Sequence, residues 1–131
     1  MNEFYWQVRV YYEDTDAGGV VYYANYLKFL ERARTEFLRS LGFEQTTLMA
    51  EQNTVFVVHS VNIDYIKPAR LDDLLQVSAK VIECKKTSLF FEQIVLRGQE
   101  VLCRGVVRIA SLDLQTMKPK LFPLEILEKI T

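Results

Sequence analysis

Apolar residues in this chain change their period three times, and the changes predict its elements. Trp6, Val8, Val10 and Tyr12 alternate with Gln7, Arg9 and Tyr11, which predicts a strand over 6–12. A polar, glycine-bearing loop spans Glu13 to Gly19. The period then lengthens. Tyr26, Phe29, Leu30, Ala33, Phe37 and Leu41 recur at spacings of three and four, one face of a helix of about five turns. Lys28, Glu31, Arg32, Thr35, Glu36 and Arg39 fill the other positions. Gly42 fits the stop, with Arg39 favourable in the last turn. Thr46 to Gln52 can add a short second helix.

Beyond Asn53 the composition turns to β. Val55–Ile66 is rich in Val and Ile and ends at Lys67-Pro68. Leu75, Val77, Ala79 and Val81 alternate with Gln76, Ser78 and Lys80. Leu89–Arg97 turns at Gly98-Gln99 into the long run Val101–Leu114. Pro119 and Pro123 interrupt the chain before a last helical turn or two over Leu124–Ile130. Most connections suit hairpins, so the pattern predicts one long helix on a five-stranded, largely antiparallel sheet, an α+β arrangement. Two strands are apolar on both faces: Phe90 and Ile94 oppose Phe91 and Val95, and Leu102 and Val106 oppose Val101, Val107 and Ile109. One helix covers one face, so the other is expected to meet another subunit.

Composition narrows this little. The 131 residues suit a single domain, 1–131, with one core. A formal charge of −1 argues against nucleic acid as a partner. No apolar run is long enough to span a bilayer. The start, Met1-Asn2-Glu3-Phe4-Tyr5-Trp6, lacks the basic and apolar regions of a signal peptide, and Cys84 and Cys103 read as reduced structural thiols. A cytoplasmic location is expected.

The chemistry concentrates in Glu13-Asp14-Thr15-Asp16-Ala17-Gly18-Gly19. A carboxylate beside a helix N-terminus can serve as base or nucleophile while free N–H groups polarise a carbonyl. Alone, Asp-x-Asp is most often a turn motif. An EF-hand fails, because the position needing a bidentate Glu is Asn25. A phosphotransferase would need a larger parallel α/β domain. A hydratase or dehydratase would want a histidine at the site, yet the one histidine, His59, falls in a predicted strand. The serines lack a nucleophile-elbow context. Neither a metal nor a cofactor is expected.

The run from Val8 to Tyr22, then Asn25-Tyr26, Glu31-Arg32-Ala33-Arg34-Thr35-Glu36, Pro68-Ala69-Arg70-Leu71-Asp72-Asp73 and Met117-Lys118-Pro119, resembles the YbgC-type acyl-CoA thioester hydrolases. These belong to the 4-hydroxybenzoyl-CoA thioesterase branch of the hotdog-fold family. The resemblance implies a hotdog, a long helix wrapped by a curved antiparallel sheet. It also implies homo-oligomers, often dimers of dimers (homotetramers), with active sites between paired subunits. The implied activity is hydrolysis of acyl-CoA or acyl carrier protein thioesters. Asp16 matches the catalytic carboxylate, and Asp14 a position that shapes the loop. Tyr23 stands where a backbone N–H polarises the thioester carbonyl. Many YbgC-type sequences carry His there; the 4-hydroxybenzoyl-CoA branch carries Tyr. Lys85 and Lys86, at a predicted turn, match a basic turn suited to coenzyme A phosphates, with Arg70 a further candidate. The alternative is a hotdog module that holds an acyl chain or a partner without turnover.

Overall fold

A computed structural model of the chain describes residues 3–130; Met1, Asn2 and Thr131 lie outside the described residues. The elements run β1 Tyr5–Arg9, α1 Asn25–Ser40, α2 Gln45–Gln52, β2 Thr54–Tyr65, β3 Leu74–Ser78, β4 Lys80–Cys84, β5 Ser88–Arg97, β6 Glu100–Asp113 and α3 Leu124–Ile130. All strand pairs are antiparallel, in the order β1-β3-β5-β6-β2, with β4 also paired to β5.

The long helix is the predicted one. Tyr26, Phe29, Leu30 and Ala33 pack against Leu75, Val77, Phe91, Val95 and Val107 of the sheet. Leu38 and Arg34 join the buried face. At the C-terminus Gly42, at φ +95°, donates to the Arg39 carbonyl and Phe43 to that of Leu38, each at 3.0 Å. These two bonds satisfy carbonyls that the helix end would otherwise orphan, in a turn that only a residue without a Cβ enters cheaply.

Two expectations are corrected. The sheet has six strands, not five, because the run through Leu75–Val81 breaks at Ala79. There Ser78 Oγ accepts from Ile94 N–H at 2.8 Å, and Gln93 donates to the Ser78 carbonyl at 3.1 Å. Ala79 N–H turns away to Phe4 O at 3.2 Å. Side chains therefore take the ladder bonds, and the strand bends. The first strand also stops at Arg9 rather than Tyr12. Val10 bonds the Asp72–Asp73 backbone instead, and Tyr12–Asp14 coil into a 3-10 turn that leaves Tyr12 exposed.

β2 is an edge strand, and among the described residues its side away from β6 has no strand partner. His59 is the extra residue of a bulge between Val58 and Ser60, and it is exposed. On the face away from α1, Phe90, Ile94 and Val106 are half-buried. No helix among the described residues is long and apolar enough to cross a membrane.

Candidate active site

The loop before α1 divides its two aspartates between two tasks. Asp14 is buried, and both of its carboxylate oxygens are used. Oδ2 accepts from Tyr11 N–H at 2.8 Å, and Oδ1 accepts from the Asn25 amide at 2.7 Å. Its carbonyl accepts from Tyr22 N–H at 3.0 Å. Asp14 thus ties the loop to the first residue of the helix. Asp16 is exposed, and only one of its oxygens is engaged, Oδ1 accepting from Gly18 N–H at 2.8 Å.

The backbone closes tightly around Asp16. Its N–H donates to Val20 O at 2.9 Å and its carbonyl accepts from Gly19 N–H at 3.0 Å, with Gly19 at φ +80°. A Cβ on Gly18 would lie 3.3 Å from Asp16 Oδ1. The Gly-Gly pair is therefore what lets the chain fold back under the carboxylate.

From that loop the chain passes directly into the helix. Val21 N–H donates to Ala69 O at 2.9 Å, and Val20 bridges Arg70. Asn25 N–H turns back to Tyr22 O at 2.8 Å. Among the described residues the N–H groups of Tyr23 and Ala24 meet no acceptor. Free donors at a helix start are groups able to polarise a developing oxyanion.

Aromatic rings wall this corner. Tyr22 and Tyr23 lie 4.8 Å apart, and Tyr65 packs edge-on to Tyr23 at 6.2 Å and to Tyr26 at 5.4 Å. Tyr26 Oη accepts from Ala69 N–H at 3.0 Å. The hydrogen bond between Tyr22 and Tyr23 raises the Tyr22 phenol, and burial raises those of Tyr26 and Tyr65, so all three stay neutral at physiological pH. A cleft of about 240 Å³ opens here between Tyr23, Tyr65, Ile66 and Pro68.

The structure therefore brings Asp16, the Tyr23 N–H and Arg70 to one end of the sheet. It does not bring Lys85 and Lys86 there within one subunit. Those lysines cap the β4–β5 turn, where Lys85 N–H donates to Ser88 O at 2.8 Å. Lys85 also faces Glu83 at 3.4 Å and the Phe90 ring at 5.4 Å. β5 runs ten residues from that turn to Arg97, roughly 30 Å at the rise of a strand. Arg97 bonds Asp73 at 2.7 Å, on the side of the Asp16 loop.

Sequence reasoning missed one buried cation, Arg34, on the apolar face of α1, and its partner Gln93 on the buried face of β5. Both were visible as polar residues breaking an apolar period: Arg34 follows Leu30 by four, and Gln93 stands between Phe91 and Val95. The thiols are free, and burial pushes that of Cys103 up to about 12, which leaves it an unreactive thiol at neutral pH. No cluster able to hold a metal occurs among the described residues.

Comparison with known proteins shows the family and the fold. The family model described as "Thioesterase superfamily" matches residues 18–104. Acyl-CoA thioesterase YbgC of Haemophilus influenzae is 54% identical over 125 residues, covering 95% of this chain and 92% of that protein. Acyl-CoA thioester hydrolase YbgC of Escherichia coli O6:H1 is 47% identical, covering 92% and 90%. Among solved structures, a probable thioesterase from Bartonella henselae superposes with a TM-score of 0.89 at 38% identity, covering 93% of this chain and 100% of that one. The fold is the hotdog.

Proposed function

This chain belongs to the thioesterase superfamily, among its YbgC-type acyl-CoA thioesterases, and from that premise we propose that Asp16 drives hydrolysis while the Tyr23 N–H polarises the thioester carbonyl. The observation that carries the reading is the division of labour in the loop. Among the described residues both Asp14 oxygens are bonded, whereas Asp16 is exposed with one oxygen unbonded, and the N–H groups of Tyr23 and Ala24 at the helix start meet no acceptor.

The chemistry follows from these groups. The thioester carbonyl oxygen sits against the Tyr23 N–H, which stabilises the negative charge of the tetrahedral intermediate. Asp16 acts in one of two ways. It attacks the carbonyl carbon and expels the thiolate, giving a mixed anhydride that water then opens. Otherwise it takes a proton from the water that attacks. Both routes consume one water and release one acid and one thiol. Thiolate leaves readily, so no strong general acid is required. A donor aimed at the oxyanion contributes about 3–4 kcal/mol.

The same reading extends to acyl carrier protein thioesters, which present the same carbonyl. It includes a cytoplasmic location, consistent with the two free thiols. It also includes paired subunits, assembled as a dimer of dimers. Lys85 and Lys86 then reach the coenzyme A phosphates of a site formed with the partner subunit, and Arg70 flanks the entrance.

Asp16→Asn tests the mechanism. It preserves size and the acceptor for Gly18 N–H but removes the charge. The expected result is a fall in kcat of at least about 100-fold, the lower end of what a positioned base contributes, with an unchanged melting temperature. A stable Asp16→Asn enzyme at near wild-type rate would end the proposal.

A further inference from the structure

The loop Pro68-Ala69-Arg70-Leu71-Asp72-Asp73 takes no part in the chemistry above, yet its backbone is tied to both sides of the Tyr23 turn. Val21 stands two residues before Tyr23, and Tyr26 three after. Both bond the same residue. Val21 N–H donates to Ala69 O at 2.9 Å, and Ala69 N–H donates to Tyr26 Oη at 3.0 Å. Val20 bridges Arg70 beside it. The N–H groups of Tyr23 and Ala24 therefore lie in a segment pinned at both ends to Ala69.

The pin is stiff on each side. Tyr26 and Ala69 are both buried, and the Tyr26 ring packs edge-on to Phe29 at 6.1 Å and to Tyr65 at 5.4 Å. The loop closes on itself: Arg70 N–H donates to Asp73 Oδ2 at 2.8 Å, and Asp73 N–H to Arg70 O at 3.1 Å. Arg97 of β5 reaches across it, Nη1 donating to Asp73 Oδ2 at 2.7 Å and to Pro68 O at 3.3 Å. Asp72 is held in the left-handed region at φ +71°. Its N–H donates to Val10 O at 3.0 Å, and its carbonyl accepts from Arg9 Nη1 at 2.7 Å. Such strain persists only where the surrounding bonds over-determine it. The helix start supplies no equivalent hold of its own, because Ala24 at the cap position has no side-chain acceptor.

We propose that this loop is the positioning element of the oxyanion site, with Tyr26 as the positioning residue on its helix side and Arg97 on its sheet side. The inference rests on the thioesterase reading and deepens it. Both residues act through Ala69 rather than on the thioester, and they fix where the Tyr23 N–H points. A donor stabilises an oxyanion only if it is aimed before the charge develops, and a misplacement of about 1 Å costs on the order of 100-fold in rate. Removing the Tyr26 hydroxyl leaves the buried Ala69 N–H without its acceptor. The loop then shifts to satisfy that group, and the Tyr23 turn shifts with it.

The test reads the carbonyl itself. Butanoyl-CoA, isotope-labelled at its thioester carbonyl carbon, is bound to Asp16→Asn, and the C=O stretch is recorded by difference infrared spectroscopy. A polarised carbonyl absorbs at lower frequency than that of the free thioester. Tyr26→Phe added to Asp16→Asn is expected to lose most of this down-shift, and Arg97→Gln part of it. With Asp16 intact, Tyr26→Phe should lower kcat at least about tenfold and leave KM within about twofold, because the lost alignment matters in the transition state. Gly42→Ala, which strains the other end of the same helix, is the stability control: it should melt earlier yet keep the wild-type down-shift and kcat. A down-shift unmoved by Tyr26→Phe, or a fall in kcat that only tracks the unfolded fraction, would overturn the proposal. If Tyr26→Phe does not fold, Arg97→Gln decides, and an unmoved down-shift there overturns it. A bound Asp16→Asn complex with no down-shift at all would instead end the Tyr23 reading, and the proposal with it.

Discussion

Asp14 and Asp16 differ by two positions, and their environments assign them opposite consequences on mutation. Asp14 accepts from Tyr11 N–H and from Asn25. Asp14→Asn turns one acceptor into a donor facing a donor, inside a buried site. The expected cost is about 1–3 kcal/mol of stability, read as a lower melting temperature, with the rate per folded molecule far less affected than in Asp16→Asn. An Asp14→Asn protein that melts like wild type would remove its role as a staple. The doublet itself was legible in the sequence, but its division of labour as a matter of bonding was not. That division depends on Asn25 reaching back eleven residues and on the chain closing between Asp16 and Val20, contacts that no local spacing encodes. Arg34 and Gln93 are the reverse case. Each interrupts an apolar period, so the signal was present, but only their pairing across helix and sheet explains why both can be buried.

At the scale of elements, α1 was the most legible part of the molecule because its signal is local: a 3.6-residue period and a glycine stop. Gly42→Ala places a Cβ at φ +95° and should destabilise by about 1 kcal/mol; an unchanged unfolding midpoint would mean that the turn relaxes freely. Strand ends were less legible, because long-range side chains decide them. Ser78 and Gln93 split one expected strand into β3 and β4. The sheet end that carries the Asp16 loop is held by charge. Arg97 bonds Glu100 and Asp73, each at 2.7 Å, and Lys67 bonds Glu100 at 2.8 Å. Bonds from Lys67, then from Arg97, draw Glu100 down from 4.5 to about 2. A carboxyl depressed in the folded state stabilises it above the unfolded value and loses that contribution as pH falls through the folded one. Stability is therefore expected to decline between about pH 4.5 and pH 2, and Glu100→Gln should flatten that part of the profile. Melting curves across the range decide it; an identical slope in the variant would mean that these exposed pairs contribute nothing, as many do.

At the scale of the whole molecule, the proposed role of the basic turn in the Asp16 site calls for a second subunit, because the two lie far apart within one chain. Within one chain, Lys85-Lys86 and Asp16 lie at opposite ends of β5, so no single coenzyme A on one subunit is expected to use both. Apolar side chains Val58, Val61 and Tyr65 are exposed along the unpaired edge of β2, at 49%, 37% and 45%. An open apolar edge of this kind invites antiparallel pairing with a second copy. In the proposed pairing a two-fold axis there would reverse the partner sheet, bringing its far end toward the first subunit's near end, and each site would draw its carboxylate from one chain and its lysines from the other. The Lys85→Ala, Lys86→Ala double variant should raise KM for acyl-CoA with kcat nearly intact, and the increase should shrink at high salt as screening weakens the lost contact. Mixing that variant with Asp16→Asn under conditions of subunit exchange is the sharper measurement. In a mixed dimer one site loses both functions, while the other combines an intact Asp16 with intact lysines. The mixture is expected to recover turnover at wild-type KM, which neither parent shows. Activity equal to the plain average of the two parents would mean that each site is built within one chain.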